Sequence, residues 1–313
     1  MTPLACESGF SALRRLWIYQ RERFPVARTA LLVAIFASSS VNVSAHLGHR
    51  ALPGWPAYAV AFAAVLVFFY QLRACDEIKD AEDDARYRPE RPIPRGLVSL
   101  RLIVSLAVAA VPLAALAVAA LDPRLLWLLF AVWTWMGLMA AEFFAPAWLR
   151  VRPFAYLVSH MMIMPLIDLF VTGCEWVPAG AYPPDALALF LVLSFLNGTV
   201  LELGRKIYAP ANERIGVETY SALLGPRAAT AVWLAVVLAA CACLVAVGAI
   251  ERSPFLVGIV GLVGLAACMA CALMFVRRAD TDGQKRIDAA AGLWVLLCYG
   301  AAGFAPLAQR FFA

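Results

Sequence analysis

Nine apolar runs dominate this 313-residue chain, at 26–45, 54–72, 100–121, 123–145, 153–173, 186–204, 227–249, 254–276 and 287–309. Each is close to the roughly 20 residues that an α-helix needs to cross a bilayer. Little sequence is left outside them. Composition points the same way, with 63% hydrophobic and 15% charged residues and a mean hydropathy of +0.79, too apolar for a soluble domain. The expected fold is all-α: an integral membrane protein built as a bundle of about nine transmembrane helices, forming a single domain over 1–313. Some joins are very short, so Asp122-Pro123 implies a tight helical hairpin.

Basic residues collect in every second connection, which sets orientation because they are retained on the cytoplasmic side. Arg86, Arg88, Arg91, Arg95 and Arg101 follow the second run, Arg150 and Arg152 the fourth, Arg205, Lys206 and Arg214 the sixth, and Arg277, Arg278, Lys285 and Arg286 the eighth. The other side carries only Arg50, Arg124 and Arg252. A multi-pass protein of the plasma or inner membrane is expected, with a cytoplasmic N-terminus. Residues 1–25 form a cytoplasmic or interfacial segment without the pattern of a cleavable signal, because Arg14, Arg15, Arg21, Arg23 and Arg28 intervene before or within the first apolar run. Within it, residues 10–24 pattern either as an amphipathic surface helix or as a loose basic tail. Orientation accounts for the net charge of +5, so no nucleic-acid partner is implied. Cys241, Cys243, Cys268, Cys271 and Cys298 fall within spans, and Cys6 and Cys75 on the reducing side, so no disulfide framework is expected.

Six acids crowd the end of the second run: Asp76, Glu77, Asp80, Glu82, Asp83 and Asp84. At helical spacing Asp76, Asp80 and Asp84 share one face, where like charges repel unless a cation lies between them. Negative charge at a helix C-terminus also opposes the macrodipole. Hard cations such as Mg²⁺ take carboxylate oxygens and leave positions for substrate phosphates, so the segment reads as a diphosphate-handling site. The competing reading is a solvated helix end partly neutralised by Lys79 and Arg86.

The end of the sixth run carries Asn197, Glu202, Arg205, Lys206, Tyr208, Asn212, Glu213 and Arg214. Ionisable groups inside a span usually face an interior cavity. Glu202 and Lys206, four apart, also satisfy a simple intrahelical ion pair. Both acid-bearing helix ends lie on the same membrane side and can face each other, with Arg205 and Lys206 as phosphate donors. In the fifth run Ser159, His160 and Asp168 interrupt an apolar helix. His160 reads either as an acceptor-side group or as a histidine satisfied by a neighbouring helix, and Asp168 is placed nearer the opposite surface. His46 and His49 lack further ligands for a metal.

Asp76-Glu77-x-x-Asp80-x-x-x-Asp84, followed by Arg91-Pro92-Ile93-Pro94-Arg95-Gly96, resembles the first motif of UbiA-type intramembrane prenyltransferases. Span number and motif position agree with that family over nearly the whole chain. The Gly216-Val217-Glu218-Thr219 to Gly225 stretch resembles the segment after the family's second motif. Asp76 stands for the family's Asn and Glu77 for its first Asp, while Glu202, Lys206, Asn212 and Glu213 occupy a second motif usually rich in aspartate.

The resemblance implies a lipid-open helical cavity and Mg²⁺-dependent transfer of an isoprenyl group from its diphosphate to an aromatic or other lipophilic acceptor. It implies Glu77, Asp80 and Asp84 as principal metal ligands, with Asp76 in support and Glu202 from the second motif. Arg23, Arg91, Arg205 and Lys206 would hold diphosphate; Glu142, His160 and Asn197 would face acceptor and cavity. Phe68, Phe69, Tyr70, Met161, Met162 and Met164 would supply apolar walls. A terpene cyclase ionising the same donor, and a metal-ion transporter, are the alternatives.

Overall fold

The computed structural model describes residues 10–214 and 216–312, with side chains through Gln309. Cys6 and the first nine residues of the N-terminal segment lie outside them. Every regular element described is helical, and among the described residues nine helices are long and apolar enough to cross a membrane.

A surface helix, α1 (Ala12–Arg23), is capped by Ser11, whose hydroxyl accepts the Arg14 N–H. Leu13 and Trp17 on it are exposed, as suits an interfacial helix. The spans are α2 (Val26–Leu47), α3 (Trp55–Lys79), α5 (Leu100–Leu121), α6 (Leu126–Ala140, entered by a turn at Pro123–Leu125), the broken pair α8 (Pro153–Met161) and α9 (Ile163–Trp176), α10 (Leu187–Arg205), α12 (Pro226–Ile250), α13 (Pro254–Arg278) and α14 (Thr281–Phe312). Short helices α4 (Ala81–Tyr87), α7 (Pro146–Arg150) and α11 (Tyr220–Leu224) lie between them. Proline opens α7, α8, α12 and α13, where its missing N–H would have had no partner.

α2 packs on α3, α9 and α14; α10 packs on α9, α12 and α14; α13 bridges α12 and α14. The first and last spans are therefore neighbours. Their backbones approach closely at Gly303, where a Cβ would stand 2.4 Å from the Ser39 Cα, a small-residue contact of the kind that membrane helices use. Leu116, Phe130, Leu262 and Val263 remain exposed on the outer faces, where lipid tails replace water.

Four boundaries differ from the hydropathy reading, each for a local reason. α3 runs on past Leu72 to Lys79, because the charged residues of its last two turns find ion-pair partners and need not leave the helix. α6 stops at Ala140, since Glu142, Phe143 and Phe144 adopt left-handed backbone with φ of 47°, 52° and 56°. The fifth span breaks at Met162. The ninth begins at Thr281, where polar residues form its first turns.

Asp168 does not lie toward a surface. It is completely buried, accepting hydrogen bonds from Ser40 of α2 and Tyr299 of α14, both at 2.6 Å. Donors on two other helices let a carboxylate sit where hydrophobic patterning alone gives no place for it.

Candidate active site

The acid cluster straddles the joint between α3 and α4. Asp80 closes one helix and opens the next, yet the spacing survives, because its N–H reaches the Asp76 carbonyl at 2.8 Å and the Asp84 N–H reaches its own carbonyl at 2.7 Å. Asp76, Asp80 and Asp84 therefore stay on one face, but their side chains meet different surroundings.

Glu77 is buried, with Arg23 Nε of α1 at 2.7 Å and Arg73 Nε at 3.8 Å. Asp84 is equally buried, gripped by Arg91 Nη1 at 2.6 and 2.5 Å and by Arg88 Nη1 at 3.1 Å. Asp76 is half exposed (51%), touching Arg73 Nη2 at 2.8 Å. Asp80 is 46% exposed, with its closest cation, Arg91, at 3.9 Å. Its carboxyl is pushed above the usual aspartate range, first by burial and then by the charges of Asp76 and Asp84, with Arg91 and Arg88 opposing.

The second constellation lies at the end of α10. Glu202 receives Arg205 Nε at 2.7 Å and Lys206 Nζ at 3.0 Å, so the intrahelical pair expected from spacing is present. Asp76 and Asp288 stand close enough to act electrostatically on Arg205, which links the two helix ends. Asn212 bonds Gln284 and Thr281, while Glu213 accepts from Thr219 and Ser221. Both fold the loop after α10 and take no part at the acids. That loop docks on the first motif: Gly216, at φ +80°, lies so near Tyr87 of α4 that a Cβ would stand 2.7 Å from the ring.

Tyr156, on α8, sits between the two ends. Lys79 and Lys206 place their ammonium groups 5.4 and 6.0 Å from the centre of its ring, and Asp76, Asp80, Glu142 and Glu202 all act electrostatically on it. Lys79 Nζ donates to the Tyr156 hydroxyl at 3.2 Å and to the Met139 carbonyl at 3.1 Å, with His160 Nε2 at 3.1 Å. His160 Nδ1 lies 2.9 Å from the Tyr156 carbonyl. A carbonyl only accepts, so Nδ1 carries the proton and Nε2 accepts from Lys79. The imidazole also stacks on the Tyr156 ring at 3.7 Å.

Glu142 reaches Lys79 at 3.9 Å from its left-handed turn, so both Glu142 and His160 join this cluster. Asn197 does not. It is buried deeper in α10, where its Oδ1 accepts from Trp294 at 3.1 Å and its Nδ2 has no partner. The sequence reading gives Lys79 only as a neutraliser of the acids and Arg88 only as an orienting charge, and it does not single out Tyr156 or Arg73. Arg73 and Arg88 had a signal in their four-residue spacing from Glu77 and Asp84. Tyr156 had none.

Among the described residues, no group of three or more histidine, cysteine, aspartate or glutamate side chains forms a ready metal cage. Glu77, Asp84 and Glu202 are committed to basic partners, leaving Asp76 and Asp80 as the more open carboxylates. That donor set fits Mg²⁺, which commonly takes one or two carboxylates and completes its shell with substrate phosphates and water. Beside the site, α1, α3 and α5 enclose an apolar groove of about 590 Å³, lined by residues including Trp17, Tyr19, Phe24, Tyr70 and Ile103.

The sequence pattern of the UbiA prenyltransferase family matches residues 31–296. The structure is similar to the apo structure of a UbiA homolog from Aeropyrum pernix K1, with a TM-score of 0.66 and 19% identity over 86% of this chain and 96% of that one. It is also similar to a solved digeranylgeranylglyceryl phosphate synthase, with a TM-score of 0.62 and 12% identity over 93% of this chain and 99% of that one. No curated protein matches the sequence.

Proposed function

The chain belongs to the UbiA prenyltransferase family, and on that premise we propose that it moves an isoprenyl group from its diphosphate to a lipophilic acceptor in a Mg²⁺-dependent reaction at the end of the bundle that bears the acid cluster. The observation that carries this reading is the convergence of Asp76, Asp80 and Lys206 around Tyr156, with Arg205 in electrostatic reach of Asp76. Open carboxylates and basic groups side by side are what a diphosphate with its cation requires.

Asp76 and Asp80 would hold Mg²⁺, which when bound neutralises charge growing on the leaving oxygens. Lys206 and Arg205 approach the same region and bind diphosphate oxygens as charge-assisted donors. Arg91 and Arg23 act mainly by fixing Asp84 and Glu77. Electrostatic groups already in position cost no reorganisation at the moment of ionisation. The apolar groove beside Arg23 offers the isoprenyl tail a surface with little water, limiting hydrolysis of the allylic cation. On the acceptor side, His160 Nε2 is a neutral lone pair held in register by the Tyr156 carbonyl. It can take the proton that an acceptor loses once Lys79 turns toward Glu142.

The test is product analysis with purified protein, Mg²⁺ and isoprenyl diphosphates of several lengths, with and without aromatic and lipid acceptors. Acceptor-dependent diphosphate release, lost in both Asp80→Ala and Lys206→Ala, supports the reading. Cyclic hydrocarbons or alcohols formed without acceptor would instead make the protein a cyclase. Turnover untouched by either substitution would overturn the site.

A further inference from the structure

At the other end of the bundle, the ends of α2, α12 and α14 surround a second cavity of about 360 Å³, whose lining includes His46, His49, Arg50, Glu251, Arg252 and Gln309. Glu251 is its least satisfied member. It is 8% exposed, and neither carboxyl oxygen has a hydrogen-bond partner. A buried carboxylate in that condition is costly, and burial pushes its carboxyl up to about 9. Arg50 does not relieve it, because Glu175 of α9 already holds that guanidinium through Nε and Nη2, both at 2.7 Å, and takes a further bond from Ser44 at 2.8 Å.

The rim carries backbone strain. His49 and Arg252 are left-handed, with φ of 51° and 61°, two of only six such non-glycine residues among those described. Three of the others, Glu142, Phe143 and Phe144, form the turn that carries Glu142 into the candidate active site. Left-handed backbone at non-glycine positions persists where surrounding structure enforces it, and it concentrates at ligand clamps.

A metal does not fit, since no set of three or more ligating side chains converges here among the described residues and two arginines line the cavity. A lone anion leaves the site unsatisfied, because it brings the Glu251 oxygens none of the donors they lack. A zwitterion fits both halves: an ammonium gives Glu251 its missing donors, and a phosphate meets exposed Arg252. We propose that this cavity binds the head group of an aminophospholipid, with its ammonium on Glu251 and its phosphate on Arg252, at the membrane face opposite the prenyl-transfer site. Ile250 and Phe304, exposed apolar residues next to Glu251 and two before Pro306, favour a lipid over a free amine phosphate.

The ammonium must displace the proton on Glu251, so affinity rises as pH climbs toward 9. Around Glu251 stand His46, His49, Arg50 and Arg252, with Glu175 behind Arg50. A positive charge on either histidine would oppose the ammonium, and Glu251→Gln separates that contribution from the one made by Glu251.

The test uses the full-length protein in phosphatidylcholine nanodiscs doped with phosphatidylethanolamine or phosphatidylglycerol, reading bound lipid by native mass spectrometry. The wild type is expected to prefer phosphatidylethanolamine by about tenfold at pH 8, equivalent to about 1.4 kcal/mol, and less at pH 6. Glu251→Gln should abolish both the preference and its pH dependence. Arg252→Gln, at an exposed position, should weaken phosphatidylethanolamine binding about tenfold. Equal retention of the two lipids by the wild type, a preference that survives Glu251→Gln, or phosphatidylethanolamine binding that is undiminished in Arg252→Gln overturns the proposal. Competition by soluble phosphoethanolamine at equal concentration overturns its assignment to lipid. Diphosphate release at the opposite face should be unchanged in both variants, so failure here is distinct from failure of the prenyl-transfer reading.

Discussion

Asp80 is the residue at which stability and chemistry oppose each other. Its partial burial, and after it the charges of Asp76 and Asp84, raise its carboxyl pKa, so ionising it weakens the fold. That loss appears as pH rises from the ordinary value of 3.8 through the higher folded value, and it persists above that. The ionised form is also the one that binds a cation. Asp80→Asn is therefore expected to keep or raise the thermal midpoint at neutral pH while lowering prenyl transfer roughly 10²-fold or more. The acid limb of wild-type kcat/KM should lie above the usual aspartate range, because that limb reports the free enzyme. A variant that loses stability and keeps turnover would reverse this assignment. Glu77 and Asp84 differ from Asp80 although the motif treats them alike, since arginines 54 and 7 residues away neutralise them.

Elements bring the two motifs into one site. α8 contributes Tyr156 between the ends of α3 and α10, and the loop after α10 lays Gly216 flat on Tyr87 of α4. Gly216 holds φ +80° and has no room for a side chain, so Gly216→Ala faces both a left-handed backbone and a clash. Expected outcomes are a destabilisation of about 1–3 kcal/mol and a larger rise in donor KM than fall in kcat, measured by thermal unfolding and steady-state kinetics. An unchanged KM would mean that the loop and the acid cluster work independently. The glycine and its resemblance to a family segment were legible in the sequence. Its contact with Tyr87 was not, because aromatic packing across 128 intervening positions leaves no periodic trace.

On the scale of the whole molecule, Asp168 ties α9 to α2 and α14 through Ser40 and Tyr299, with Ser194 of α10 bonded to the same tyrosine. Asp168→Ala removes the acceptor shared by two buried hydroxyls, leaving them only the Phe36 carbonyl and Ser194, and is expected to cost about 1–3 kcal/mol in an unfolding titration, with Asp168→Asn costing less because it keeps an acceptor. No measurable loss from Asp168→Ala would remove it from the bundle's core. The nine spans and the acid run were readable in the chain alone, because hydropathy over about 20 residues and charge at fixed spacing are local quantities. Those quantities determined that the protein crosses a membrane and carries acids at one helix end. Which acids are open and which are paired, that Lys79 and Tyr156 stand between the motifs, and that Glu251 is left without a donor were decided only by tertiary packing. A charged group's state depends on partners from distant helices, and the sequence does not order those helices in space.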